Sequence, residues 1–383
     1  MPEEVYTQLS WFRRERVAKA RVMVVGCGAL GNEVIKNLVL FGVEHLVVVD
    51  FDHVEAANLS RSILFTRGDA EAHARKTDAI AESIRRINPS AEVITLFGDI
   101  AYEVGLGWFR SVDVVIGCVD NRWARYCINR QCMRAGIPWV DGGIDGLEGT
   151  VRVFIPGENC YACNLGPEGL KDLRRRMPCS GIIRHNEAAG RAATTPVIAS
   201  IIGAVEVQEA LKLIHREQLD SGELTSLSGR MFCYEGQHLT TRTVAFKAYD
   251  DDCPVHERWE PVISSDLDTR CSVQACLNEL CQLSHGDRPQ VALADCFVDF
   301  VESRKTGEQV HVMCPGREVE SRLEQTPLHG KLLSELYQHE YRVLDNDFPY
   351  QELNLAQVGI PARDVLKVHT EQRDLFVELK MER

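Results

Sequence analysis

No run in this chain is long and apolar enough to cross a bilayer. The first residues, Met1-Pro2-Glu3-Glu4, carry neither the basic start nor the apolar core of a secretion signal, so the expectation is a cytoplasmic protein. Positive charge is also in short supply: 43 Lys and Arg stand against 56 Asp and Glu, a net charge of −13. Such a surface argues against broad binding to nucleic acid or to an anionic membrane, while local cationic sites for a phosphate stay open. Internal repeats and low-complexity tracts are missing too. What remains is ordinary globular material, 383 residues with 45% apolar and 26% charged, enough for two or three domains with a real core. Fourteen cysteines without a secretion signal read as reduced thiols, metal ligands or a nucleophile rather than as disulfides.

From residue 21 to about 140, apolar strand-like runs at 22–25, 46–49, 93–96, 112–116 and 139–140 alternate with helical stretches. That alternation predicts an α/β fold, a Rossmann-like, doubly wound and mostly parallel sheet with helices on both faces. Residues 76–87 have helical spacing and stop at Asn88-Pro89, and residues 123–135 form a second amphipathic segment ended by Gly136. Both are expected to flank a crevice. A strand-like stretch at 149–155 leads into Cys160-Tyr161-Ala162-Cys163, after which residues 168–190 read as a polar, basic and irregular insertion. A long buried helix is predicted from Thr195-Pro196 to about Leu213, with Pro196 suited to its first turn. Beyond His256 the pattern becomes that of a smaller α+β piece with strands at 308–313, 365–368 and 375–379. The expected division is a first domain at 1–260, carrying an insertion at 164–194, and a second at 261–383.

The most informative motif is Gly26-Cys27-Gly28-Ala29-Leu30-Gly31, set between the first strand and a helical pattern through Val34, Leu38 and Leu40. Glycines let a phosphate approach backbone N–H groups that a side chain would screen, and a helix N-terminus adds partial positive charge. Asp50, at the end of the next strand, stands where a ribose-binding carboxylate belongs. Taken alone, this motif fits users of NAD, FAD and ATP alike. The downstream residues narrow the choice: Asp52, Asn58 and Arg61 come next, Lys76 opens the second helix, and Cys118-Val119-Asp120-Asn121 ends another strand. A dehydrogenase needs the first acid only. This set supplies cations for a triphosphate and hard carboxylate oxygens for Mg²⁺, the equipment of nucleotidyl transfer. Singly, each residue has a plainer reading, since exposed Arg and Lys solvate helix faces and strand-end Asp residues cap helices.

Together these residues resemble the adenylation domain of the ThiF/MoeB and ubiquitin-activating-enzyme superfamily, over about residues 21–256. The likeness rests on residues 26–31 and 50–61, on Lys76 with Ile87-Asn88-Pro89, on Val119-Asp120-Asn121 with Arg125 and Asn129, and on the paired cysteines. It implies that Gly26, Gly28 and Gly31 cradle the phosphates of ATP, that Asp50 binds ribose, and that Asp52 and Asp120 organise Mg²⁺ and phosphates. Asn58, Arg61 and Lys76 would hold the triphosphate. It further implies a homodimer and, as partner, a small β-grasp protein, ubiquitin-like or sulfur-carrier, whose terminal carboxylate is adenylated. In two places the chain departs from the family. Ser62 stands where many members have Gln, and the short N-terminal arm leaves Arg13 or Arg14 to replace the arginine usually supplied by a partner subunit. Outside the family, an NAD-dependent oxidoreductase would leave Asp52, Arg61 and Lys76 without purpose, and a nucleotide-binding scaffold without catalysis would release no pyrophosphate.

Cys160-x-x-Cys163 returns as Cys253-Pro254-Val255-His256. Three thiolates and an imidazole suit tetrahedral Zn²⁺, while a lone Cys-x-x-Cys is also a redox pair. The family usually closes a structural zinc site here with a second Cys-x-x-Cys, so the resemblance implies that Cys160, Cys163, Cys253 and His256 staple the domain. Cys179, in Arg174-Arg175-Arg176-Met177-Pro178-Cys179-Ser180, is the best nucleophile candidate, because the arginines and His185 would favour its thiolate. Its plain reading is an inert surface thiol. The resemblance instead places it where compact single-chain activating enzymes form a thioester before passing the carrier to a conjugating enzyme, although the spacing to Thr195 is longer here. Cys27 and Cys118 read as packing residues. Residues 358–366 faintly resemble the terminal ubiquitin-fold region that recruits a conjugating enzyme. Cys314-Pro315-Gly316-Arg317 is not followed by the active-site loop of a rhodanese, which leaves Cys314 structural.

Overall fold

The computed structural model describes residue 6 and residues 8–175, 194–331 and 335–381. Two compact units make up the chain. Met1–Ala101, Phe109–Gly166 and Gly190–Arg258 form the first, and Tyr102–Trp108, Pro167–Ala189 and Trp259–Arg383 the second.

Eight strands carry the first unit: β1 Arg21–Val25, β2 His45–Asp50, β3 Glu92–Phe97, β4 Val114–Gly117, β5 Trp139–Asp145, β6 Glu148–Phe154, β7 Arg230–Glu235 and β8 Thr240–Ala245. Their spatial order is β3-β2-β1-β4-β5-β6-β7-β8. The first five run parallel and the last three antiparallel. The inner parallel strands are nearly continuous runs of Val, Leu and Ile because they are buried on both faces. Helices Ala29–Phe41, Lys76–Ile87, Arg122–Ala135 and Pro196–Ile214 belong to the same unit. Two of them stop at a left-handed glycine, Gly42 and Gly136, and Pro196–Ile214 starts at a proline with the Thr195 hydroxyl accepting from the Ile198 N–H.

Two expectations need correction. The strand expected at 112–116 begins at Val114, because Asp113 is engaged in exchanging hydrogen bonds with the Arg21 backbone. Residues 168–190 are not irregular from the start. Helix Tyr161–Arg175 runs through a break at Gly166, where φ is 68° and ψ 175°, and resumes with Leu173 buried. The hairpin β7–β8 has no counterpart in the sequence pattern. β7 is mostly half-buried and β8 exposed throughout, so neither carries a clean alternation of apolar and polar residues.

The second unit is α+β. Strands β9 Val262–Ser264, β10 Gln290–Ser303, β11 Gln309–Pro315, β12 Leu336–Leu344, β13 Val365–His369 and β14 Asp374–Glu378 form a sheet in the order β11-β10-β13-β14-β9, with β12 also on β10. Helix Val273–Leu283 shares a core with it through Leu277, Leu280, Phe297, Val368 and Val377. Among the described residues, no helix is long and apolar enough to cross a membrane.

Candidate nucleotide site and cysteine–histidine centre

Strand order reverses at β1: the chain winds outward through β2 and β3, then returns on the other side to β4 and β5. At such a switch point the loops leaving the carboxyl ends of neighbouring strands diverge and open a crevice. Residues 26–31 leave β1 there, residues 51–61 leave β2, and residues 118–121 leave β4. Gly26 has φ +96°, and a Cβ on it would stand 2.5 Å from the Cys118 carbonyl oxygen. A Cβ on Gly31 would stand 1.9 Å from the Gly26 carbonyl oxygen. These two glycines therefore let the turn, the helix and the end of β4 meet. Gly28 is different in kind. Among the described residues other than its chain neighbours, nothing lies within 4 Å of its Cβ position, and as the N-cap of helix Ala29–Phe41 it gives no side chain to the first N–H groups. An open ledge over uncapped N–H groups is where an anion is stabilised.

Asn32, which sequence reasoning missed, holds this turn together. It is fully buried; its Nδ2 donates to the carbonyls of Cys27 at 2.8 Å and Gly28 at 3.0 Å, and its Oδ1 accepts from the Leu64 N–H at 2.9 Å. The signal was a polar residue on the apolar face of a helix, four positions after Gly28.

Asp50 is tied to the same turn: one carboxylate oxygen accepts from the Cys27 N–H at 2.6 Å and the other from the Asp52 N–H at 2.8 Å. Burial pushes its pKa up, opposed by Lys76 and by those two N–H groups. Lys76 is buried and pairs with Asp52 at 2.7 Å. Burial works against its ammonium charge, but Asp50 and Asp52 outweigh it and the pKa rises. Asn58 is buried with its side-chain oxygen accepting from the Glu55 N–H at 2.9 Å, so that oxygen shapes the turn Ala56–Ser60. Arg61, half-buried at the end of that turn, joins no ion pair among the described residues. The plain reading of Asp120 as a helix cap fails, because Asn121 caps Arg122–Ala135 by accepting from the Ala124 N–H at 2.8 Å. Asp120 is left exposed beside it. On β5, level with the end of β4, lies buried Asp141, paired with Arg125 at 2.9 Å and Arg152 at 2.5 Å. Arg125 also donates to the Gly142 carbonyl at 2.9 Å.

The second constellation is closed. The ligand atoms of Cys160, Cys163, Cys253 and His256 all lie within 4.8 Å of one another, and three of the four residues are buried. Cys160 Sγ is 3.6 Å from Cys163 Sγ and 3.8 Å from Cys253 Sγ, and Cys163 Sγ is 3.2 Å from His256 Nε2. Tetrahedral Zn²⁺ with metal–sulfur bonds of about 2.3 Å places its sulfurs about 3.8 Å apart, so the four atoms fit that ion. The hydrogen bond from Cys253 pulls the Cys160 thiol down and pushes Cys253 up. Tyr249 stacks on His256 at 4.3 Å and fixes its ring. By contrast Cys27 and Cys314 are buried, and burial pushes the Cys314 thiol up to about 12. Both read as packing residues. Cys179 and His185 lie outside the described residues.

The ThiF family model matches residues 8–255. This chain belongs to the ThiF family. Adenylyltransferase of that family is accordingly its class of enzyme. The chain is 34% identical to the SAMP-activating enzyme E1 of Haloferax volcanii over 244 residues, 63% of this chain and 81% of that protein. It is 31% identical over 241 residues to the adenylyltransferase and sulfurtransferase MOCS3 of Mus musculus, again 63% of this chain but 48% of that protein. Among solved structures, Escherichia coli MccB with ATP shares the ThiF fold at a TM-score of 0.50 and 19% identity, over 64% of this chain and 68% of that one.

Proposed function

We propose that this ThiF-family protein binds ATP and Mg²⁺ in the crevice of its first unit and adenylates the C-terminal carboxylate of a small β-grasp protein. The observation that carries this reading is the open Gly28 ledge, with uncapped helix N–H groups, beside the Asp50, Asp52 and Lys76 cluster. A carboxylate oxygen of the carrier attacks the α-phosphorus, the bond from that phosphorus to the bridging oxygen breaks, and pyrophosphate leaves. Lys76 and Arg61 offset charge on the phosphates, and Asp50 holds the ribose. Exposed Asp120 and half-exposed Asp52 supply oxygen ligands of the kind Mg²⁺ takes, and the ion would neutralise charge on the departing pyrophosphate.

In the next step the Cys179 thiolate attacks the acyl carbon, AMP departs, and a thioester is ready for a conjugating enzyme. In a homodimer an arginine from one protomer would complete its partner's site. Arg13 spends its guanidinium on the carbonyls of Ser10 and Phe12, so Arg14, exposed and in no ion pair among the described residues, is the better candidate. The zinc centre staples the domain. A second reading, sulfur-carrier activation without the thioester on Cys179, is favoured by the likeness to MOCS3.

With a panel of small β-grasp proteins ending in glycine, Asp120→Ala should abolish ATP–pyrophosphate exchange. Cys179→Ala should keep exchange and lose a thiol-sensitive carrier adduct seen by intact mass. An adduct that survives Cys179→Ala removes that nucleophile and leaves the sulfur-carrier reading. Exchange undiminished in Asp120→Ala overturns the site.

A further inference from the structure

Glu206, in the middle of helix Pro196–Ile214, is fully buried, and neither carboxyl oxygen has a hydrogen-bond partner. It presses against β5: a Cβ on Gly142 would stand 2.4 Å from Glu206 Cδ and 2.5 Å from each of its oxygens. Asp141, Arg125 and the Cys118 thiol share its surroundings. The guanidinium groups there are already engaged, since Arg125 and Arg152 both pair with Asp141 and Arg125 also serves the Gly142 carbonyl. Glu33, on the packed helix Ala29–Phe41, pairs with Lys36, and Glu209, one turn along the same helix, with Lys212. Among the described residues no cation pairs with Glu206 directly; Arg125, the cation that acts on it, is shared with Asp141. An ionised carboxylate in that position, buried and beside a second carboxylate, costs far more than a neutral acid. Burial, reinforced by Asp141 and only partly opposed by Arg125 and the nearby Gly142 N–H, raises the Glu206 pKa well above the ordinary carboxylate range.

We propose that Glu206 is a positioning residue that carries a proton at neutral pH and so leaves the Arg125–Asp141–Arg152 cluster with one positive charge in excess behind the crevice. Asp141 is level with Gly117, the last residue of β4, so this charge stands at the strand ends that open into the crevice. Its consequence rests on the adenylylation reading. The reaction drives a carboxylate against an α-phosphate, and a buried guanidinium charge in excess of Asp141, faced from the crevice side by Asp120, lowers the work of bringing two anions together. Ionised Glu206 would cancel that charge. The proton stays on Glu206 throughout turnover, and no bond to it is made or broken.

The test uses the full chain with Glu206→Gln, which is nearly isosteric and uncharged at every pH, and Glu206→Met as a second neutral variant should the first fold poorly. At neutral pH the infrared difference between wild type and E206Q should show the C=O band of a protonated carboxylic acid. In ATP–pyrophosphate exchange with the β-grasp panel, wild-type kcat/KM for the carrier should step down to a lower plateau as the pH is raised through the ionisation of Glu206. E206Q and E206M should not show that fall, with ATP affinity within about twofold of wild type at neutral pH. A carboxylate band in place of the acid band, or an alkaline fall in kcat/KM that E206Q and E206M share with wild type, overturns the proposal. An acid band without exchange at any pH with any carrier would overturn the adenylylation reading and uphold the proton on Glu206.

Discussion

The nucleotide crevice and the cysteine–histidine centre belong to the same unit and are built in opposite ways. Among the described residues the crevice is open: Asp120 is exposed, the Asp52 side chain is 51% exposed, and no described residue approaches the ledge at Gly28. Its buried ammonium, Lys76, is held within the chain by Asp52 and by the charge of Asp50. The centre is closed, four soft ligand atoms around a point with no fifth direction left. An open set of hard oxygens and cations suits something that arrives and departs, whereas a closed set of thiolates suits an ion that stays. Stability should therefore reside in the second and turnover in the first.

The sharpest way to break that division is Cys160→Ser. It should cost more than about 4 kcal/mol of stability, read as a fall in melting temperature together with loss of bound zinc by elemental analysis. A protein that melts unchanged and holds no zinc would make the centre a thiol cluster and nothing more. Next comes a pair of substitutions within one loop. Gly31→Ala drives a methyl into the Gly26 carbonyl and should destabilise by about 1–3 kcal/mol. Gly28→Ala meets open space at a permitted φ of −70° and should change stability by no more than about 1 kcal/mol. Its methyl group would stand on the ledge, however, and calorimetric titration should show ATP binding weakened about tenfold. Equal ATP affinity in Gly28→Ala and wild type would remove the ledge from the site.

The smallest effect sets a baseline away from both sites. His215 is fully buried; its Nδ1 donates to the Leu211 carbonyl at 2.7 Å while its Nε2 accepts from the Arg13 N–H at 2.9 Å, a pattern that requires the neutral ring. Burial lowers its pKa, helped by Arg16 and Arg13. The unfolded chain binds a proton at this imidazole near pH 6.5 that the folded chain refuses, so stability is full above about pH 6.5. It declines as pH falls through that value toward the lower folded-state pKa. His215→Gln should flatten this acid limb in melting temperature against pH, and an unchanged limb would assign it to other groups.

How much was legible depended on whether the deciding neighbour was close in sequence. The parallel strands read directly from Val22-Met23-Val24-Val25 and Leu46-Val47-Val48-Val49, because burial on both faces demands an unbroken apolar run. Helix Lys76–Ile87 was legible to its end at Asn88-Pro89. Thr240-Thr241-Arg242-Thr243 of β8 was not, since a strand exposed along its length carries no burial pattern to read. The glycine turn was legible as a motif, but why Gly31 cannot be alanine was not, because the carbonyl it would strike is set by the curl of the loop. The family resemblance makes Asn58 a triphosphate ligand, whereas its side-chain oxygen is committed to its own turn. Asn32 gave only the signal of a polar residue on an apolar helix face, and Arg152 and Glu206 gave none.

By itself the sequence determined the strand–turn–helix that begins the crevice, the acids and cations that come after it, and the two ligand pairs of the centre, because each is a local pattern of spacing and residue type. Only the tertiary structure decided that Asn121 rather than Asp120 caps its helix, that Lys76 pairs with Asp52, and that residues 160 and 253 place their sulfurs 3.8 Å apart. It also decided the fate of two carboxylates. Asp141 received two guanidinium partners and Glu206 received none, and no pattern within a single segment expresses that, because the charge of a buried acid depends on groups brought to it from other strands and helices.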